Sequence, residues 1–167
     1  MRTKKNRENK NGVAMLRKGF ILLLFFSLLI VQSICLADNF LHNSTYDICF
    51  TPGDNCANKI IRAITQTKKE ILVQAYSFSD ASIAKALVLA RARGVDVRII
   101  LDKSQLKARY GLIPYFISNN INPIIDNEVA IAHNKIIILD RHTVITGSYN
   151  YTGAAKNKNA ENVVIID

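Results

Sequence analysis

The sequence predicts an α/β domain built on a mixed, largely parallel β-sheet that is flanked by helices. Residues 71–101 read as strand, helix and strand within about thirty residues, and such βαβ units join parallel strands by a right-handed crossover. Residues 135–146 read as two β runs joined by a polar turn, which is the pattern of an antiparallel hairpin. Because a chain of 167 residues is long enough for one core, both connections are expected in one sheet and one domain.

Each element has a local signal. Polar residues cap the two main helices, with Asp54 or Asn55 before the first and Asp80 before the second, and Gly94 ends the second. The strands are short runs of aliphatic and β-branched residues. In chain order we predict an irregular lead-in over 38–46, a helix over 57–64, a strand over 71–76, a helix over 83–90, a strand over 97–101, a helical region over 103–120 interrupted near Gly111 and Pro114, an extended piece after Pro123, hairpin strands over 135–139 and 143–146, and a last strand over 163–166.

The first 37 residues have the order of a secretory signal peptide. Seven basic residues against Glu8 alone give this segment +6 of the net charge of +9, and the apolar run 20–31 and then Cys35-Leu36-Ala37 follow. That run would span about 18 Å as a helix, short of the ~30 Å hydrocarbon core, so a cleaved signal is favoured over a membrane anchor. We expect a domain over 38–167 with a charge of +3, exported to the periplasm or secreted.

Two cysteines, Cys49 and Cys56, remain after the predicted cleavage site. In an oxidising compartment a disulfide between them is favoured over two buried thiols, and the turn at Pro52-Gly53 would help to bring the sulfur atoms together. A disulfide that closes so short a loop would contribute about 2–3 kcal/mol through the entropy of the unfolded chain. With no histidine nearby, the pair is not expected to form a zinc site.

The main functional signal is the pattern H-x-K-x4-D-x6-G-S-x-N, which runs from His133 to Asn150. Alternation along a strand puts His133 and Lys135 on one face, and Ser148 shares a face with Asn150 in the same way. Histidine can attack phosphorus, while lysine, hydroxyl and amide groups can hold phosphoryl oxygens. Gly147 would leave room for a phosphate beside the backbone. Since the hairpin brings both halves of the pattern to one sheet edge, the stretch predicts half of a phosphodiesterase site.

This pattern resembles the HKD signature of the phospholipase D superfamily. Residues 75–78, 93–97 and 158–162 are also similar to its small exported bacterial members with one motif copy, among them a periplasmic endonuclease and secreted phospholipases D. The resemblance covers nearly all of residues 45–167 and implies that superfamily's fold. Its members usually continue with a helix that packs on the sheet, whereas this sequence stops at Asp167. We therefore expect a domain lacking the usual C-terminal helix, with a sheet face left exposed.

The resemblance implies a two-step reaction that uses neither a metal ion nor a cofactor. His133 would form a covalent phosphohistidine, and the same histidine of a second subunit would protonate the leaving alcohol, so the active site would be shared within a homodimer. Glu161 would hydrogen-bond the nucleophilic histidine and fix its tautomer. Asp140 is expected to orient the hairpin more than to touch substrate. The implied residues are His133, Lys135, Asp140 and Glu161 for catalysis and Lys135, Ser148 and Asn150 for phosphate binding.

The substrate is open between two kinds of phosphodiester. The mild charge and the absence of an aromatic stacking platform favour the phospholipid head group over nucleic acid. Two further alternatives are an inactive or merely phosphate-binding domain and a metal-dependent hydrolase that uses His133, Asp140 and His142.

Two surface features have competing interpretations. Lys103, Lys107 and Arg109 could form a basic ridge, although a solvated helix face is favoured. Residues 112–117 could form a lip that enters lipid, although burial in the core or in a dimer interface is favoured. We therefore expect the protein to meet a membrane surface only through its substrate.

Overall fold

A seven-stranded sheet organises the part of the chain that the computed structural model describes, residues 43–167. The strands lie in the order β1-β7-β6-β5-β2-β3-β4. The predicted signal peptide, residues 1–37, lies outside the described residues. In chain order the elements are β1 (Tyr46–Thr51), α1 (Cys56–Gln66), β2 (Glu70–Ala75), α2 (Ala81–Ala92), β3 (Asp96–Asp102), a 3-10 helix (Lys103–Lys107), α3 (Ile113–Ile117), β4 (Ile124–Asp126), β5 (Lys135–Leu139), β6 (Thr143–Gly147), α4 (Gly153–Asn157) and β7 (Glu161–Ile166).

The predicted α/β fold with a mixed sheet is confirmed, but the sheet is less parallel than predicted. Of the strand pairings among the described residues, β2–β3 and β3–β4 are parallel. The pairings β1–β7, β7–β6, β6–β5 and β5–β2 are antiparallel. The physical reason is that the crossover through α2 fixes the direction of β3 against β2, whereas the tight turn between β5 and β6 forces them to run in opposite directions. β1 then adds to β7 as an antiparallel edge strand.

Side-chain caps begin the two main helices where the sequence predicts them. The Asn55 side chain accepts a hydrogen bond from the Asn58 backbone N–H at 3.1 Å and so starts α1. Asp80 starts α2 by accepting from the backbone N–H groups of Ser82 and Ile83 at 2.8 and 3.1 Å. Each cap satisfies N–H groups that have no partner inside the helix, and so fixes where the helix begins.

The core lies between α1, α2 and one face of the sheet. Alternate strand residues on that face are buried, and α1 contributes Ile60 and Ile64 to the same cluster. Residues on the other face are more exposed, notably Ile48 at 42% and Phe50 at 61% on β1. Within the described part of the chain, no helix is long and apolar enough to cross a membrane.

A disulfide between Cys49 and Cys56 ties β1 to the start of α1, as predicted. The two Cα atoms lie 5.7 Å apart, and both residues are buried. β1 itself is absent from the predicted elements. Its pairing partner β7 lies at the far end of the sequence, so the signal for this strand is a long-range register rather than a local pattern.

Candidate active site

One edge of the sheet gathers the ends of six neighbouring strands, β2 to β7. Ala75 at the end of β2 is paired with Lys135 at the start of β5, and Gly147 at the end of β6 is paired with Val163 in β7. Because β2, β3 and β4 run in the same direction, their carboxyl ends also lie at this edge. The loop that carries His133 enters β5 here. The hairpin therefore brings the two halves of the H-x-K and G-S-x-N pattern to one place, as the sequence predicts.

His133, Lys135 and Tyr76 form the centre of this edge. The Lys135 ammonium lies 3.3 Å from His133 Nδ1 and donates to the His133 carbonyl oxygen at 2.8 Å. The Tyr76 ring lies 4.5 Å from the imidazole, centroid to centroid, and the Lys135 Nζ lies 5.4 Å from the centroid of the same ring. An exposed imidazole is thus held against a cation and an aromatic face, which restrains its orientation.

Tyr76 belongs to the site, although the sequence indicates it only as part of a segment that is similar to the family. Its backbone N–H donates to the Asn134 carbonyl oxygen at 2.9 Å, so it follows β2 just where the motif begins. The Asn134 side chain faces away from the site and donates to the Gln74 side chain at 2.9 Å, in agreement with strand alternation. The signal that could have found Tyr76 is the β2–β5 register, which no local pattern reveals.

Lys135 is a buried cation. Its exposed fraction is 7%, and burial lowers its pKa from the ordinary lysine value, while the nearby Glu161 carboxylate acts in the opposite direction. A cation that is partly stripped of water interacts strongly with an anionic oxygen, because the surrounding dielectric screens it less. Lys135 is therefore well suited to hold a phosphoryl group beside His133.

Ser148 and Glu161 form a second group at the same edge. The Ser148 hydroxyl donates to the Glu161 carboxylate at 2.6 Å and accepts from the Asn162 backbone N–H at 3.0 Å. The Asn159 side chain donates to the other oxygen of Glu161 at 2.9 Å. Among the described residues, the Glu161 carboxylate forms these two hydrogen bonds, to Ser148 and Asn159, and none to His133, where the resemblance places one. The physical reason is that Glu161 begins β7 directly opposite the Ser148 turn, so the hydroxyl reaches it.

Asn150 presents a buried amide oxygen that has no hydrogen-bond partner among the described residues. A buried polar group without a hydrogen-bond partner normally lowers the stability by about 1–3 kcal/mol. Such a group is therefore expected where a bound ligand supplies the missing hydrogen bond. An amide can turn either its oxygen or its NH₂ group toward a ligand, and the NH₂ group can donate to a phosphoryl oxygen. The adjacent Tyr149 is fully buried, and burial raises the pKa of its hydroxyl, with the Asp80 and Glu161 carboxylates acting in the same direction.

Gly147 is required for a reason other than the predicted approach of a phosphate. The β7 backbone at Asn162 and Val163 passes through the space that a side chain would occupy. This close approach lets the Ser148 N–H donate to the Asn162 carbonyl oxygen at 3.1 Å and so fixes the turn that carries the Ser148 hydroxyl.

Asp140 is not brought to this edge. It follows β5 at the opposite end of the strand, in the turn to β6. Its carboxylate accepts from the backbone N–H groups of Lys68, Lys69 and Glu70 at 3.0, 2.7 and 3.1 Å, and its own N–H donates to the Glu70 carbonyl oxygen at 2.9 Å. Asp140 thus ties the hairpin turn to the start of β2. This placement has the character expected of an orienting residue rather than of one that touches substrate.

His142 is also remote from His133. It lies in the same turn as Asp140, and its Nδ1 is 3.2 Å from the Asp167 carboxylate. His133, Asp140 and His142 therefore do not converge, and the alternative metal site built from these three residues is not assembled.

We predict that Asp140→Asn lowers the free energy of unfolding by about 1–2 kcal/mol at neutral pH, because an amide cannot accept all three charge-assisted hydrogen bonds. Burial alone would raise the pKa of Asp140, but the three backbone N–H groups lower it overall. A lowered folded-state pKa stabilises the protein above the unfolded value of about 3.9, and this stability is lost as the pH falls through the folded value. The difference between wild type and variant in urea unfolding should thus shrink below about pH 4. Glu128→Gln, in an exposed loop, serves as the control and should leave the midpoint unchanged at either pH.

A comparison with protein families identifies this arrangement. A family model described as cardiolipin synthase, PLD-like domain, matches residues 60–167, which include every residue of the edge described above. The chain belongs to the phospholipase D superfamily.

Similar members of the phospholipase D superfamily include curated proteins and a solved structure. A protein named phospholipase D from Rickettsia conorii is 46% identical over 127 residues, which are 76% of this chain and 64% of that protein. The mitochondrial cardiolipin hydrolase of Canis lupus familiaris is 29% identical over 120 residues, 71% of this chain and 47% of that protein. The crystal structure of the phospholipase D family member Nuc from Salmonella typhimurium superimposes with a TM-score of 0.70 at 38% identity, covering 74% of this chain and 82% of that one. The chain thus spans less than two thirds of the length of the curated relatives named here.

Proposed function

We propose that this chain is a phosphodiesterase that hydrolyses the head-group phosphodiester of phospholipids through a covalent phosphohistidine on His133, without a metal ion or a cofactor. The observation that supports the proposal most directly is the exposed His133 imidazole beside the buried Lys135 ammonium. The first supplies a nucleophile for phosphorus, and the second supplies a fixed charge for the phosphoryl oxygens.

The proposed reaction has two steps. A nitrogen of His133 attacks phosphorus, the bond from phosphorus to the head-group oxygen breaks, and a second imidazole gives a proton to the leaving alkoxide. Water then attacks the phosphohistidine, its proton passes to that second imidazole, and the phosphorus–nitrogen bond breaks. Lys135, Ser148 and Asn150 would stabilise the charge that develops on the phosphoryl oxygens in both steps. The Ser148 hydroxyl donates its one proton to Glu161 at 2.6 Å in this structure and would turn it to a phosphoryl oxygen when substrate binds.

The second imidazole is proposed to come from a second copy of the chain. The sequence contains one H-x-K motif, and His142 lies at the opposite end of the hairpin from His133. A twofold axis next to His133 would place two such residues on one phosphodiester, because each subunit presents the same surface to the other. The proposed partners of the chain are thus a second copy of itself, with which it forms a homodimer, and a phosphodiester substrate.

One observation supports a lipid substrate, and another supports export of the protein. The relatives from Rickettsia conorii and Canis lupus familiaris are named for the hydrolysis of phospholipids. The disulfide between Cys49 and Cys56 is of a kind that persists in oxidising compartments, which supports the proposal that residues 1–37 are a signal peptide and that the domain over 38–167 acts in the periplasm or outside the cell.

The test is to incubate the protein with phosphatidylcholine vesicles and with plasmid DNA, side by side in a strong chelator, with His133→Ala as the blank. Lipid turnover by the wild type alone supports the proposal. Turnover of DNA alone would replace it with a nonspecific endonuclease that uses the same chemistry. If the folded dimer turns over neither substrate, the catalytic proposal fails and the inactive alternative is preferred. A reaction that needs added divalent metal would contradict the mechanism.

A further inference from the structure

Two segments beside the active site form a continuous rim. Residues 103–111 follow β3, and residues 127–132 lead from β4 to His133. The Lys103 ammonium donates to the Val129 carbonyl oxygen at 2.9 Å, and the Ala132 N–H donates to the buried Asp102 carboxylate at 2.8 Å. These hydrogen bonds join the two segments to each other and to the end of β3. We call residues 103–111 and 127–132 the rim.

The rim exposes four large apolar side chains. Leu106 is 63% exposed, Tyr110 71%, Val129 48% and Ile131 60%. The inward position of the first segment is taken by a polar residue instead, because Gln105 is buried and its side chain accepts from the Phe78 backbone N–H at 3.1 Å. The buried Gln105 thus anchors the first segment, and Leu106 and Tyr110 next to it are exposed to solvent. A concentration of such side chains on a small area is typical of an interaction surface.

Basic side chains lie among these apolar groups. Arg109 stacks over the Tyr110 ring, with its guanidinium carbon 5.4 Å from the ring centroid. Neither Lys107 nor Arg109 forms an ion pair with any residue that the structure describes. The exposed carboxylate on the rim is Glu128, so cations predominate. Exposed apolar side chains next to basic side chains without an ion-pair partner are typical of surfaces that enter the boundary between lipid head groups and acyl chains.

We infer that the rim docks the protein on an anionic phospholipid surface, with Leu106, Tyr110 and Ile131 in the acyl boundary and Lys107 and Arg109 on the lipid phosphates. The inference deepens the proposed function, on which it rests, since docking would present His133 to the head-group layer. It also revises one expectation from the sequence, because membrane contact through the substrate alone is replaced by a dedicated surface. Residues 112–117 are not part of the rim, and Phe116 is buried against Phe78, in line with the burial favoured for that segment.

A lipid surface fits the rim better than two other occupants. Nucleic acid would use the cations and the tyrosine, but the aliphatic side chains Leu106, Val129 and Ile131 offer it neither charge nor stacking. A second copy of the chain packed symmetrically on the rim would bring Lys107 and Arg109 close to the same cations of its partner, and like charges repel. An anionic bilayer matches both the apolar side chains and the charge.

Tryptophan fluorescence can test the inference in the full chain, because the chain contains no tryptophan of its own. A single Ile131→Trp reporter should shift its emission to shorter wavelength and be quenched by brominated acyl chains when vesicles containing phosphatidylglycerol are added. A Leu89→Trp reporter on α2, at a position that is 51% exposed, is the matched control and should show neither change. The reporter senses its own depth, so attachment of the protein by residues 1–42 would not mimic the signal. All variants carry His133→Ala to prevent hydrolysis.

Paired substitutions then identify the groups responsible. In the Ile131→Trp reporter, Leu106→Ser should raise the lipid concentration needed for half-maximal quenching by about tenfold, because an apolar side chain leaves the acyl boundary. Leu89→Ser should have no effect. Lys107→Glu should weaken docking by at least about fivefold on anionic vesicles, with little change on pure phosphatidylcholine. Lys85→Glu, on the exposed surface of α2, is the charge-matched control.

The inference is overturned if position 131 shows no shift, if positions 131 and 89 show equal shifts, or if Leu106→Ser changes the dimer content measured by light scattering. The last would assign the rim to a second copy. Quenching of the reporter by bound DNA instead of by lipid would assign the rim to nucleic acid. The proposed function fails separately, because a water-soluble short-chain phosphatidylcholine reports hydrolysis without docking. Hydrolysis of that lipid without vesicle binding would reject the rim alone, and vesicle binding without hydrolysis would reject the catalysis alone.

Discussion

Replacing His133 by alanine should reduce phosphodiester hydrolysis by at least about 10⁴-fold, since removal of a covalent nucleophile eliminates the pathway rather than weakening one contact. The fold should be unaffected. His133 is exposed, and the hydrogen bonds that hold its loop are made by main-chain groups and by Asn134. Urea unfolding of the variant should therefore match that of the wild type. An acid-labile phosphoryl group, trapped on the wild-type protein by rapid quenching in alkali, should be missing from the variant.

Mixing the same variant with wild type tests whether the site is shared. If each site needs His133 from both subunits, a heterodimer of wild-type and His133→Ala chains is inactive. After subunit exchange in an equal mixture, activity per wild-type chain should then fall by about half, because statistical pairing places half of the wild-type chains in heterodimers. Unchanged activity per wild-type chain would show that one subunit suffices and would contradict the homodimer mechanism. His142→Ala, at the other end of the hairpin, is the control and should retain full activity both alone and in the mixture.

The parts of the fold that the sequence predicts are those whose cause is local. Asp80 and Asn55 act on N–H groups within the next three residues, so capping and helical spacing suffice to place α1 and α2. The hairpin of β5 and β6 is predicted for the same reason, since its turn follows the first strand directly. β1 is different, because Tyr46 and its neighbours form a strand only through pairing with β7.

The candidate site, like the fold, has features that the sequence predicts and features that it does not. Strand alternation correctly puts His133 with Lys135 and turns Asn134 away from them. The contacts between side chains on different strands depend on the register of the strands, which the sequence does not predict. Tyr76 reaches His133 because β2 ends opposite Lys135. Glu161 reaches Ser148 rather than His133 because β7 passes beside the turn after β6.

Both the β6–β7 register and the position of Ser148 in the site depend on Gly147. Gly147→Ala should therefore destabilise the domain by about 2–5 kcal/mol. Its φ of 149° lies in the region that side chains disfavour. An added Cβ would also lie 2.1 Å from the Asn162 carbonyl oxygen and 3.1 Å from the Val163 Cα. Those atoms are backbone in a paired strand and cannot turn aside, so β6 and β7 would have to separate.

Separation of these strands would affect the site as well as stability. The Ser148 N–H would lose the Asn162 carbonyl oxygen, and the Ser148 hydroxyl would move relative to Glu161. Gly153→Ala is the matched control, because no atom lies within 4 Å of its added Cβ and alanine favours the helix that begins there. Urea unfolding followed by circular dichroism should show a large fall in the midpoint for Gly147→Ala and none for Gly153→Ala. Equal midpoints would mean that β7 can yield at Asn162, and the tight β6–β7 contact would then not be what fixes Ser148.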